Sequence, residues 1–322
     1  MKTPKSQKIK HKFIKIPADS QGLTLLRAES GIKDPTIWLT GGIHGDEVGG
    51  VEVVYEIFKK LEKSPLKRGA VFAFPLINQY GFKTGSKFFS AKKENLNCLF
   101  PGNPRGTAAE KAADKIFTAI LKTKPTLVLD LHNDWTRSRP TWRGSIPYAL
   151  IDPKIKNRNV YKLAHQTGLL VIEDEKNEVS KKSLSGSLNE KGIPAITLEL
   201  SDTHQEKNVK IGVDVVWNIL SSLEMTNAKK NKFIYPELKK FKGKIFKYRN
   251  LSTNYKTGTA KFIAKPGQVV KKNEAVAQIY NTSGKFIKTI NTPANGVILG
   301  NYDLTFTAIR PRKPLVAMGV VK

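Results

Sequence analysis

Short apolar runs alternate with longer stretches of helical period over the first two thirds of the chain, and short apolar runs alone fill the last quarter. The runs at residues 36–39, 71–75, 126–131, 146–151, 169–172 and 195–200 read as strands. Between them, residues 48–61, 107–121, 160–167, 185–191 and 208–225 place apolar positions on one helical face. Thr107 followed by Glu110 is a capping-box start for the second helix. Strand–helix–strand alternation predicts an α/β sheet, with residues 13–28 adding one or two edge strands around a turn at Ala18-Asp19-Ser20. Residues 78–106 show little periodicity, and a loop of that length is usually functional.

Charge and Pro236 break the pattern across residues 229–242. Beyond it come short runs at 244–246, 260–264, 275–280, 286–291, 297–300 and 315–321. They are separated by turns at Lys265-Pro266-Gly267, Ser283-Gly284 and Asn295-Gly296, the pattern of a small all-β domain. The expected division is a basic arm at 1–12, an α/β domain at 13–240 and a β domain at 241–322.

Fifty-five basic residues against 27 acidic give a net charge of +28. The cations are spread over residues 2–15, 59–68, 229–247 and 261–272, with no zinc-finger spacing and no basic helix interleaved with aromatics. A lysine-rich solvated surface is the expectation; nucleic acid is not expected, and an anionic partner stays open. The single cysteine, Cys98, excludes an internal disulfide and fits a reducing compartment. No signal-length apolar run opens the chain, and none reaches the ~20 residues of a membrane helix, so a cytoplasmic protein is expected.

Candidate chemistry sits at the strand ends. Gly41-Gly42-Ile43-His44-Gly45-Asp46-Glu47 links the strand at 36–39 to the helix at 48–61, so His44 and Glu47 stand where α/β enzymes place their ligands. Alone, such a turn is more often structural. A second strand ends in His132, and a third carries Glu199 in an apolar run. Two histidines and one glutamate with a fourth position open to water form a known zinc set, and a buried Glu199 needs a partner or a task. Asp130 shares a strand face with His132 and can orient it or form a structural ion pair. Asp46 is expected to cap the following helix. His11, in the arm, and His165, in a helix, read as surface or packing residues; His204 follows the Glu199 strand and could approach the site.

The motifs GGIHGDE, NLNCLFPG, DLH and ITLEL, in this order, resemble the succinylglutamate desuccinylase/aspartoacylase family, relatives of the zinc carboxypeptidases. The resemblance runs from about Trp38 to the C-terminus. It implies a zinc carboxypeptidase-like mixed sheet flanked by helices, one Zn²⁺ per chain held by His44, Glu47 and His132, and Glu199 as general base and acid. The segment KPGQVVKKNEAVAQI with NTPANGVILG is similar to lipoyl- and biotinyl-type β-sandwiches; no lysine stands in the hairpin setting of those carriers, so the shape is implied without a swinging arm.

The chain departs from the family in its long loop. Where the family usually has Asn-Arg within a DLNRxFPG-like stretch, this chain has Asn97-Cys98, and Lys87 stands at an upstream arginine position. Asn97 is implied as a substrate contact. Lys87 can supply charge to an oxyanion, whereas Cys98 cannot grip a carboxylate as a guanidinium fork does. The resemblance implies an amidohydrolase acting on carbon–nitrogen bonds other than ordinary peptide bonds, with a small N-acyl amino acid or short peptide as partner. The alternatives are a metallocarboxypeptidase acting on a peptide such as a cell-wall peptide, and a metal-binding member impaired in turnover.

Overall fold

The three-dimensional structure, a computed structural model, describes residues 8–16, 19–134, 144–152, 159–175, 178–201, 205–228, 231–241, 243–255, 257–301, 307–308 and 314–322. Its elements follow in order: β1 (Ile9–Ile16), β2 (Asp19–Glu29), β3 (Thr36–Gly41), α1 (Val48–Lys63), β4 (Ala70–Phe74), α2 (Gln79–Thr84), α3 (Ala108–Lys122), β5 (Leu127–Asp134), β6 (Tyr148–Ile151), α4 (Asn159–Gln166), β7 (Leu170–Glu173), α5 (Glu178–Lys181), α6 (Leu184–Glu190), β8 (Ala195–Ser201) and α7 (Gln205–Ser222). The remainder is β9 (Ile245–Ser252), β10 (Thr259–Phe262), β11 (Val269–Val270), β12 (Ala275–Tyr280), β13 (Phe286–Asn291), β14 (Gly296–Asn301), β15 (Thr307–Ala308) and β16 (Pro314–Val321).

Among the described residues, twelve strands form one mixed sheet in the order β1-β2-β4-β3-β5-β8-β6-β7-β9-β16-β14-β11. At its centre β4, β3, β5 and β8 run parallel, so their C-terminal ends lie at one edge. Strand alternation divides the core. Ile37, Leu39, Leu129 and Leu198 pack against α1, α4 and α7 on one face. Trp38, Val128 and Ala195 pack with α3 and the apolar side of α6 on the other. Along this second face the strands change character toward their C-terminal ends: Trp38 gives way to Thr40, Val128 to Asp130 and His132, and Ala195 to Thr197 and Glu199.

The capping box at α3 forms as the sequence predicts: Thr107 accepts from the Glu110 N–H, and Glu110 accepts from the Thr107 N–H. Three details differ from the sequence expectations. Strand β1 starts at Ile9 and pairs with β2 through Ile9↔Ala28, so any arm is shorter than residues 1–12; residues 1–7 lie outside the described residues. The loop at 78–106 holds α2, whose first turn is capped by Asn78, and a 3-10 turn at Leu96–Cys98. Helix α1 is preceded by Glu47 at the cap position, not Asp46, and the Glu47 side chain makes no capping bond.

The C-terminal strands form a sandwich. A second sheet, β13-β12-β10-β15, faces β14 and β16 across Ala260, Val276, Ile279, Ile290, Val297, Leu315 and Val316. The composition break at 229–242 is not a break in the main sheet: β9 pairs in parallel with β7 through Val171↔Ile245 and Ile172↔Phe246, and Leu170 and Ile172 share the sandwich core. No described helix is long and apolar enough to cross a membrane.

Asp174, just past β7, gives a pH test of this region. Burial, helped by the neighbouring Glu175 and Asp152 charges, pushes its carboxyl up to about 6. The folded state therefore binds this proton more tightly than the unfolded chain, and stability falls as pH rises from about 4 to about 6. Asp174→Asn, which can still accept the Glu175 N–H, is expected to be more stable than the parent by about 2 kcal/mol at pH 8 and equal to it below pH 4. Urea unfolding at the two pH values checks this; equal stability at pH 8 contradicts it.

Candidate metal centre

His44 and Glu47 lie in the turn between β3 and α1. Gly42 takes a left-handed φ of +61°, and a Cβ on Gly45 would stand 2.1 Å from the backbone of Gly81, so α2 presses directly on the turn. A Cβ on Gly50 would lie 2.6 Å from the Leu131 carbonyl, which is why α1 can start against the end of β5. That contact brings the helix start to His132, which points from β5 toward the turn.

The three side chains converge. His44 Nδ1 lies 2.6 Å from Glu47 Oε1, and His132 Nδ1 lies 2.7 Å from Glu47 Oε2. One ligand atom from each of His44, Glu47 and His132 falls within 4.8 Å of the others, so the group could hold a metal ion. Glu47 and His132 are buried; His44 is partly exposed.

The outer nitrogens fix the proton positions. Asp130 Oδ2 stands 3.1 Å from His132 Nε2, and Asp130 Oδ1 accepts from the Thr40 hydroxyl at 2.6 Å. A carboxylate only accepts, so His132 Nε2 carries a hydrogen. Asn95 Oδ1 stands 3.1 Å from His44 Nε2 and also accepts from the Asn97 N–H at 3.1 Å. That atom is therefore an oxygen, and His44 Nε2 also carries a hydrogen. Both Nδ1 atoms then face the Glu47 carboxylate, whose Oε2 already accepts from the Asn133 N–H at 3.1 Å. Nitrogen and carboxylate oxygen at such distances need a cation between them, either a proton on each Nδ1 or a metal in its place.

The electrostatics agree. Burial opposes charge on Glu47, but the imidazoles of His44 and His132 outweigh it and hold the carboxyl well below the usual carboxylate range. Burial also opposes charge on His132, but Asp130 and Glu47 outweigh it and hold the ring well above the usual histidine range. Two carboxylates and two imidazoles suit a dication: the charges of Glu47 and Asp130 balance it, and the nitrogen and oxygen donors are those zinc takes.

Of the other residues singled out by sequence, Glu199 is the register partner of His132 on β8, on the same sheet face and half-buried. Both Lys87 and Cys98 stand in the loop at 78–106; burial pushes the Cys98 thiol up, against the charges of Lys87 and Lys182. The Asn97 side-chain oxygen accepts from the Leu184 N–H at 3.0 Å and ties the loop to α6. His165 is half-buried in α4, and burial lowers its pKa. His11 lies in β1, and His204 lies outside the described residues. Asn95 and Asn133 were missed. Asn133 donates its backbone N–H to Glu47 while its side-chain oxygen accepts from the Gly50 N–H at 3.3 Å. Only the position of Asn95, two residues before Asn97 in the same loop motif, could have signalled its role.

The backing of the two imidazoles is unequal, carboxylate behind His132 and carboxamide behind His44. Asn95→Asp is expected to tighten zinc binding by about tenfold and Asn95→Ala to weaken it by a similar factor, since such partners are worth 10–100-fold in affinity. Competition with a chelating dye measures both; affinities equal to the parent's in both variants contradict the role given to Asn95.

Residues 33–221 match the family model for the succinylglutamate desuccinylase/aspartoacylase catalytic domain. The chain is 32% identical over 134 residues to the N-alpha-acetyl-L-2,4-diaminobutyric acid deacetylase of Halomonas elongata, a match covering 39% of this chain and 38% of that relative's length. An aspartoacylase family protein from Mesorhizobium loti superposes with a TM-score of 0.77 at 19% identity, covering 98% of this chain and 95% of the other. The product-bound ectoine utilization protein of Ruegeria pomeroyi superposes with a TM-score of 0.74 at 18% identity, covering 99% and 97%. At those identities the two superpositions show the shared fold. Since the catalytic-domain match takes in the β3–α1 turn, His132 and Glu199 and spans more than half of the chain, the protein belongs to the succinylglutamate desuccinylase/aspartoacylase family.

Proposed function

We propose that the chain is a zinc-dependent hydrolase that cleaves the amide bond of a small N-acyl amino acid. The observation that carries this reading is the convergence of His44, Glu47 and His132 donor atoms on one point, beside a carboxylate at Glu199 in register with His132. Zinc held by His44, Glu47 and His132 would polarise the scissile carbonyl and favour ionisation of water. The remaining steps belong to the chain's own groups. Glu199, half-buried near the end of β8, takes a proton from the attacking water and returns it to the leaving nitrogen. Lys87 offers its ammonium to the negative charge that develops on the carbonyl oxygen. Asn97 keeps its amide N–H₂ for substrate while its oxygen holds Leu184.

The names of the relatives support a deacylase: one removes an acetyl group from N-alpha-acetyl-L-2,4-diaminobutyric acid. We place the reaction in residues 13–240, with 241–322 as a β unit beside it, and the protein in the cytoplasm. The test is hydrolysis of a panel of N-acetyl and N-succinyl amino acids, with activity lost on chelation and restored by zinc. A chain that turns over none of them after zinc loading contradicts the reading.

A further inference from the structure

The edge of the main sheet opposite the metal centre holds a cleft of about 480 Å³. It lies where β5 and β8 begin, at Pro125-Thr126 and Ile193-Pro194, while His132 and Glu199 stand toward the other ends of the same two strands. At ~3.3 Å per residue along β5, Thr126 and His132 are about 20 Å apart. Both strands are entered through a proline, which has no N–H, and the Pro194 carbonyl is taken by the Val128 N–H at 2.9 Å. The floor is therefore apolar, completed by Leu163 of α4 and by Leu223 just past α7. Polarity comes from one face of α4, where Asn159, Lys162 and Gln166 follow at helical spacing. Lys162 is exposed and enters no ion pair among the described residues. Gln166 Oε1 accepts from Lys232 Nζ at 3.4 Å, which holds a second ammonium beside the rim and leaves the Gln166 amide hydrogens to face a ligand.

We propose that this cleft is a second small-molecule site, for an amphipathic anion: an apolar body carrying one carboxylate or sulfonate. Its volume falls in the ~300–1,000 Å³ range of small-molecule sites, and an apolar floor with a few polar groups at the rim is their usual lining. Burial of the body against Leu163, Pro194 and Leu223 supplies the affinity, and the Lys162 ammonium selects for negative charge. The cleft shares no residue with the metal centre, so ligand and zinc bind independently. The assignment goes beyond the hydrolase reading and does not rest on it.

The experiment titrates the full chain with anilinonaphthalene sulfonate, an amphipathic anion whose fluorescence rises on leaving water. About one molecule per chain is expected to bind, with the same affinity before and after zinc loading. Lys162→Glu is expected to weaken binding by about tenfold, since it removes an attraction and adds a repulsion at an exposed position. Leu223→Glu, which puts a charge on the apolar floor, is expected to weaken it further. Neutral phenylnaphthylamine, which keeps the apolar body without the acid, is expected to bind the parent and Lys162→Glu equally. Lys162 is exposed, so its variant keeps the fold and decides the matter even if Leu223→Glu unfolds. No bound sulfonate, an affinity unchanged in Lys162→Glu, displacement by zinc, or an equal loss of the neutral probe in Lys162→Glu overturns the assignment. None of these readouts requires turnover, so failure here is distinct from failure of the hydrolase reading.

Discussion

Glu199→Gln is expected to lower hydrolysis by about 10³-fold while the variant keeps its zinc, the scale on which a positioned acid–base group contributes. Glutamine matches the volume and keeps hydrogen-bonding capacity, but it cannot accept a proton from water. The geometry makes the change specific. Glu199 pairs in register with His132 on one side and with Tyr148 on the other, and Leu198 and Leu200 bury the opposite face of β8. The isosteric change leaves that packing intact, so unfolding temperature should stay close to the parent's. Full activity in Glu199→Gln would remove Glu199 from the mechanism.

His132→Ala is expected to weaken zinc binding by more than about 100-fold, since losing a ligand costs more than losing the group behind one. It should also destabilise the metal-free fold. Asp130 and Glu47 flank His132 in a buried site, and removing the ring leaves two carboxylates facing each other without their shared partner. Breaking a buried pair in this way costs roughly 3–5 kcal/mol. Zinc should then raise the unfolding temperature of the parent and leave that of His132→Ala unmoved, because a ligand stabilises only the state that binds it. A zinc-dependent shift of equal size in both proteins would place the metal elsewhere.

Much of this was legible in the sequence because it is local. The period of residues 36–39 and 48–61 gives β3 and α1, and the glycine-rich junction between them puts His44 and Glu47 at a strand's C-terminal end. Alternation along β5 puts Asp130 and His132 on one face. What was not legible depends on long-range contacts. Asn95 lies 51 residues from His44 in sequence, and only the path of the loop brings them together. The pairing of β9 with β7 joins residues on either side of a charged, proline-containing stretch, which local composition marks as a boundary. Helix α2 escapes periodicity because it is short and is set by the Asn78 cap and by Gly85 in the left-handed conformation. Only the first half of β1 escapes, because Lys10 and Lys12 alternate with Ile9, His11 and Phe13, a pattern that resembles a solvated arm as much as an edge strand.

The measurement that bears most directly on the central claim is the zinc content of the purified chain by elemental analysis, beside that of His132→Ala. About one zinc per parent chain, absent from the variant, is the predicted result. A parent chain that takes up no zinc even after loading would contradict a metal hydrolase built on His44, Glu47 and His132.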